Sequence, residues 1–195
     1  MRDYKYLTMP EFVRAAENAV PSIILSYGYG NPVSRIIVRV SNRWKRDKHE
    51  YSHAMALVEP GVLASQELTF RRVPLRCYLN GRTRLKIWVR TDWTYEDTWS
   101  IREEMRQDLA DPWYRRIYDA PGLLGQWLGN TLGFGRWVNL PGIQFCSARV
   151  MTHFGLYLRG LQRQPSPAAI DRFCAAKNEW QCLGVFAPYK DPTDE

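Results

Sequence analysis

The sequence has few histidines, no closely paired cysteines and no long apolar run, and each shortage narrows what the chain can do. Three histidines in 195 residues (His49, His53 and His153) leave little choice for a general base. Four cysteines, at 77, 146, 174 and 182, form neither a CxxC pair nor a dense framework, so a reduced compartment or unpaired thiols fit as well as disulfides. Cys146 with His153, and Cys174 with Cys182, lack zinc-ligand spacing; the expected metals and cofactors are none. No stretch reaches the eighteen apolar residues of a transmembrane helix. Charges at 2, 3, 5, 11, 14 and 17 exclude a signal peptide in Met1–Ala19, so synthesis in the cytoplasm is expected.

What is present is globular: 45% apolar, 13% aromatic and 24% charged residues, a length that buries one good core, and hence a single domain over 1–195. Eight Trp and eleven Tyr serve mainly to fill that core. Lys and Arg outnumber Asp and Glu by 27 to 20, a net charge of +7 that favours an anionic polymer or lipid surface. The excess is spread through Arg43–Lys48, Arg71–Arg76, Arg82–Lys86 and Arg115–Arg116, with no zinc finger, RNA-recognition signature or basic zipper. These runs read as solvated faces, without a specific nucleic-acid motif.

Hydrophobic periodicity alternates between helix and strand, an α+β pattern. Residues 9–19 read as an amphipathic helix opened by Pro10, an N-terminal extension within 1–20. Ile23–Ser26 is a brief apolar run before the turn Tyr27–Pro32, and Val33–Val40 has helical spacing. Tyr51–Val58 and Val62–Leu68 form a hairpin across Glu59-Pro60-Gly61, and Arg84–Val89 is a third strand. Trp99–Leu109 reads as a helix capped by Ser100, and Asp111-Pro112 starts a short one through Tyr118. Pro121–Gly142 is a glycine-rich covering loop. From Cys146 the spacing of Met151, Phe154, Leu158 and Leu161 predicts a helix. Ala168–Ala176 is another, Leu183–Phe186 a last strand, and 187–195 a frayed tail.

Cys146 falls where the loop Asn139–Gln144 enters its helix. Unpaired N–H groups and the positive dipole end there favour thiolate and can receive an oxyanion. Position alone fits a small buried cysteine as well. Among the histidines, His153 is two turns along the same helix, about 10 Å away at the helical rise, too far to take the thiol proton. His49 sits in a charged, solvated run. His53 opens an apolar strand with Met55 and Leu57 on its own face, held rigidly as a general base must be. A core histidine fits that pattern equally.

Several segments share the order of a known family. Tyr51-Ser52-His53-Ala54-Met55-Ala56-Leu57-Val58 resembles the histidine strand of the permuted NlpC-like amidases (the YiiX/YaeF branch), a permuted papain-like group. Val62–Gln66, Arg72-Val73-Pro74-Leu75 and the upstream Gly30–Ile37 are similar to its flanking segments. Trp113–Asp119 is similar to its segment ending in Tyr-Asp, and Phe145-Cys146-Ser147-Ala148-Arg149-Val150 to its "YCSELV" nucleophile signature. The likeness spans residues 21 to about 185, histidine first and cysteine second. It implies a permuted papain-like fold: a small antiparallel sheet or half-barrel packed on helices, with the nucleophile at a helix N-terminus. It also implies Cys146 and His53 as catalytic pair, Tyr118 beside the nucleophile, and Ser147 at the oxyanion.

The chain departs from that family at Ala148 and Arg149, and in its third catalytic member. The family often has an acidic residue on the second strand; the matching positions are Ser65 and Gln66. Gln66 is preferred because its amide can accept from the imidazole N–H across an adjacent strand, with Ser65 as alternate. Glu59 and Glu67 are weaker candidates because of the turn and the pleat. The expected function is a thiol amidase or peptidase acting on cell-wall peptide, which would suit a virion-associated protein released by other machinery. The alternatives are a lipid ester or acyl-amide hydrolase or acyltransferase with the same site, and a catalytically silent binding module of a larger assembly.

Overall fold

A computed structural model describes residues 4–29, 34, 51–67, 69–112, 116, 146–155 and 166–188. The elements are α1 (Met9–Glu17), β1 (Ser22–Gly28), β2 (His53–Glu59), β3 (Val62–Gln66), β4 (Phe70–Pro74), a 3-10 turn (Leu75–Cys77), β5 (Thr83–Arg90), α2 (Tyr95–Ala110), α3 (Cys146–His153), α4 (Pro167–Ala176) and β6 (Trp180–Phe186). The strands form one antiparallel sheet in the order β4-β3-β2-β1-β5-β6. The architecture is α+β, six strands and four helices among the described residues.

Alternation along the strands splits the apolar residues into two cores. Ile23, Leu25, Ala54, Ala56, Ala64 and Trp88 pack with Ile101 and Met105 of α2, Val150 and Met151 of α3, and Ile170 and Cys174 of α4. The interleaved Ile24, Met55, Leu57, Leu63, Leu85 and Ile87 pack with Phe12 and Ala16 of α1 and with Leu75. The N-terminal segment is therefore part of the core, and Leu7 N–H and Val185 N–H tie it to β6 through Val185 O and Lys5 O at 2.8 and 2.9 Å.

A buried ion pair fastens α4 to the sheet. Lys86 Nζ lies 2.7 Å from Asp171 Oδ1, both side chains almost wholly buried. Trp88 Nε1 donates to the same oxygen at 2.7 Å, and the Lys86 ammonium sits 3.5 Å from the centre of the Tyr4 ring. Hydrogen bonding and the ring face compensate the desolvated charges.

Several expected boundaries move. The helix expected from Trp99 begins at Tyr95, with Thr94 rather than Ser100 as cap: Thr94 Oγ1 accepts from Asp97 N–H at 3.2 Å, and Asp97 Oδ2 accepts from Thr94 N–H at 2.9 Å. Aspartate does here what glutamate does in the usual reciprocal cap. The brief run Ile23–Ser26 is a central strand, bonded on both sides and apolar on both faces. β3 stops at Gln66, where pairing passes to Phe70 of β4, a strand the periodicity did not separate. The helix from Cys146 stops at His153, because Gly155 takes φ +61° and turns the chain out of the helix. Val33 and residues 35–40, the Pro121–Gly142 loop, Leu158 and Leu161 lie outside the described residues.

Candidate active site

The site forms where the start of α3 meets the first residue of β2. α3 packs Val150 and Met151 onto the sheet, with Phe154 just past its end in the same core, and this seats Cys146 beside His53. Cys146 is 5% exposed, and the groups that act on its thiol are the His53 side chain and the backbones of Ala54 and Ser147. Burial pushes the thiol up, but the His53 side chain and these backbones outweigh it and hold Cys146 below the ordinary thiol value. Burial likewise opposes charge on His53. The Cys146 thiolate with its hydrogen bond, and then Glu67, outweigh it and raise the imidazole above its ordinary value. The two shifts are opposite, and each group favours the charged form of the other.

The residue on the other side of the imidazole is Ser65, not Gln66. Ser65 Oγ lies 2.9 Å from His53 Nε2. The register explains the choice: Met55 pairs with Ser65, so Ser65 projects on the Met55–His53 side of the hairpin, while Gln66 projects on the opposite side with Ala54 and Ala64. Gln66 instead donates from Nε2 to Arg116 O at 2.9 Å. Its longer reach counts for nothing on the wrong face.

Beyond Ser65 the hydrogen bonds continue. Ser65 Oγ is 3.1 Å from the Tyr78 hydroxyl, which donates to Glu67 Oε1 at 2.7 Å. Arg71 forms an ion pair with Glu67 from the solvent side. Burial works against charge on Glu67, but Tyr78 and Arg71 hold its carboxyl below the usual carboxylate value. Burial pushes the Tyr78 phenol strongly up, so it stays protonated. Tyr78 follows the 3-10 turn and had no signal in the sequence, because the fold brings it to a strand thirteen residues away.

The other histidine of α3 is engaged elsewhere. His153 Nε2 is 3.0 Å from Asp108 Oδ2, and its ring stacks on Phe70 at 6.1 Å. Arg149 reaches Asp108 at 2.8 Å and lies over the same Phe70 ring. These contacts pin α3 to α2 and β4. Ser147 is buried at the second position of α3. Tyr118 and His49 lie outside the described residues.

Cys174 and Cys182 are pushed the other way. Burial raises the Cys174 thiol well above the ordinary value and the Cys182 thiol to about 11. Cys77 is exposed, and all four cysteines are free. Among the described residues no cluster of His, Cys, Asp and Glu could hold a metal ion, and no helix is long and apolar enough to cross a membrane. No protein-family model matches the chain, and no curated protein matches it significantly.

Proposed function

We propose that the chain is a cysteine hydrolase of permuted papain-like type that cleaves amide bonds through an acyl-thioester on Cys146, with cell-wall peptide as substrate class. The observation that carries the reading is the juxtaposition of Cys146 and His53, which hold each other's thiol below and imidazole above their ordinary values, with Ser65 Oγ 2.9 Å from the far ring nitrogen. Neither shift serves packing; together they describe a nucleophile and its acid–base partner.

In this mechanism the Cys146 proton rests on His53, and the thiolate attacks the scissile carbonyl to form a C–S bond. N–H groups at the start of α3 receive the oxyanion. His53 passes its proton to the leaving amine as the C–N bond breaks, leaving a thioester. Water, deprotonated by His53, then attacks the thioester, the C–S bond breaks, and the free acid departs, leaving the Cys146 thiolate beside protonated His53 as at the start. The net charge of +7 supports an acidic polymer as substrate.

The test is digestion of purified peptidoglycan by the protein and by Cys146→Ala, following new free amino groups. Release by the unmodified chain, abolished in the variant, supports the reading; equal release by both contradicts it. A parallel panel of acyl esters and fatty acyl amides reads the alternative substrate class on the same nucleophile.

A further inference from the structure

Counting protons outward from Glu67 fixes the direction of every hydrogen bond behind the imidazole. Glu67 is ionised and can only accept, so the one proton on Tyr78 Oη is committed to it at 2.7 Å. Tyr78 Oη therefore offers only a lone pair to Ser65, and the 3.1 Å contact must carry the serine proton. Ser65 in turn has only a lone pair left for His53, so the 2.9 Å contact must carry the proton on Nε2. The ring is thereby held as the Nε2–H tautomer, with Nδ1 left to face Cys146.

Building on the hydrolase reading above, we propose that Glu67 is the acidic member of this site, acting as a positioning residue on His53 through Tyr78 and Ser65. No proton moves along the chain: each hydroxyl keeps its own. When Cys146 transfers its proton to Nδ1, the Nε2–H bond to Ser65 is already in place and nothing has to turn. The carboxylate at the far end polarises two neutral hydroxyls toward the imidazolium, as hydrogen bonds in series do in a low-dielectric interior. A carboxylate beside the ring is thus replaced by one on the same side of the hairpin, reached through two hydroxyls. The charged groups facing the chain are Cys146 on His53 and Arg71 on Glu67. Arg71, whose side chain is 58% exposed, orients the carboxylate and is partly screened by water.

The experiment is the pH titration of Cys146 thiolate by ultraviolet absorbance, taken as the difference from Cys146→Ala, in the full chain. Glu67→Gln and Tyr78→Phe should each raise the midpoint by about one pH unit, and the double variant should raise it no further, because both lie on one chain. Ser65→Ala breaks the chain from the other end and should give the same shift, while Ser65→Thr, which keeps the hydroxyl, should restore the original midpoint. Circular dichroism of each variant checks that it is folded, and the serine pair decides the matter if Tyr78→Phe does not fold. His53→Gln separates the two levels of the argument. If it moves the midpoint while the Glu67, Tyr78 and Ser65 variants do not, the relay is wrong and the Cys146–His53 pair stands. If His53→Gln leaves the midpoint in place, the hydrolase reading fails first. A shift in Glu67→Gln without one in Tyr78→Phe would show direct action across space and overturn the relay.

Discussion

Met55 of β2 stands opposite Ser65 of β3, and this one pairing decides which neighbour completes the site. A slip of one residue would present Gln66 to His53 and turn Ser65 to the face covered by α2, α3 and α4. Ser65→Ala should therefore slow alkylation of Cys146 at neutral pH. Gln66→Met, whose shape is similar, should leave the pH profile of that reaction where it is. Rates for the two variants across pH distinguish them.

On the proposed mechanism, the opposed shifts of Cys146 and His53 set the pH dependence of hydrolysis. As pH falls through the lowered Cys146 value the thiolate is protonated and the rate drops. As pH rises through the raised His53 value the imidazolium loses the proton owed to the leaving group, and the rate drops again. The expected kcat/KM profile is a bell whose acid limb lies below the ordinary thiol range and whose alkaline limb lies above the ordinary imidazole range. Both limbs belong to the pair, so His53→Gln should remove the bell rather than move one side of it.

The Lys86–Asp171 pair makes a prediction about stability alone. Asp171→Ala leaves a buried ammonium without its carboxylate and removes the acceptor of Trp88. It should cost about 3–5 kcal/mol, read by urea denaturation with the midpoint falling and the slope retained. Lys86→Met with Asp171→Leu should recover much of that loss, since the site then buries no charge.

Much of the site was legible in the sequence, and the part that was not has a physical cause. Helix entry and strand start made Cys146 and His53 candidates without separating them from a buried cysteine and a core histidine; the resemblance of their segments to a known family singled them out, and helix rise set His153 aside. The choice between Ser65 and Gln66 depended on register, which is fixed by a bulge between Leu57 and Glu59 that the hairpin residues do not announce. Tyr78 and Glu67 depended on a contact between a 3-10 turn and a strand, invisible to any local pattern. In the fold, β2 and β3 were recognisable as two apolar runs flanking the turn Glu59-Pro60-Gly61, while β4, with Phe70 and Val73 buried on either side of the exposed Arg71 and Arg72, was not separated. β1, covered on both faces, read only as a short apolar run, as central strands do.

His153 is the residue most easily mistaken for catalytic, since it shares a helix with Cys146. Its partners are Asp108 and Phe70, so His153→Gln should lower stability by about 1–3 kcal/mol while the Cys146 thiolate midpoint stays in place. Thermal melts together with the thiolate titration check both halves.

If His53 makes Cys146 a thiolate, the chain's other three cysteines serve as internal references. Peptide-resolved mass spectrometry after brief iodoacetamide treatment at mildly acidic pH reports all four thiols in one sample. Cys146 should be modified ahead of the exposed Cys77 despite its burial, with Cys174 and Cys182 unmodified, and His53→Gln should bring Cys146 down to the level of the buried pair. Modification of Cys146 that lags behind Cys77 and is the same with and without His53 would contradict the account.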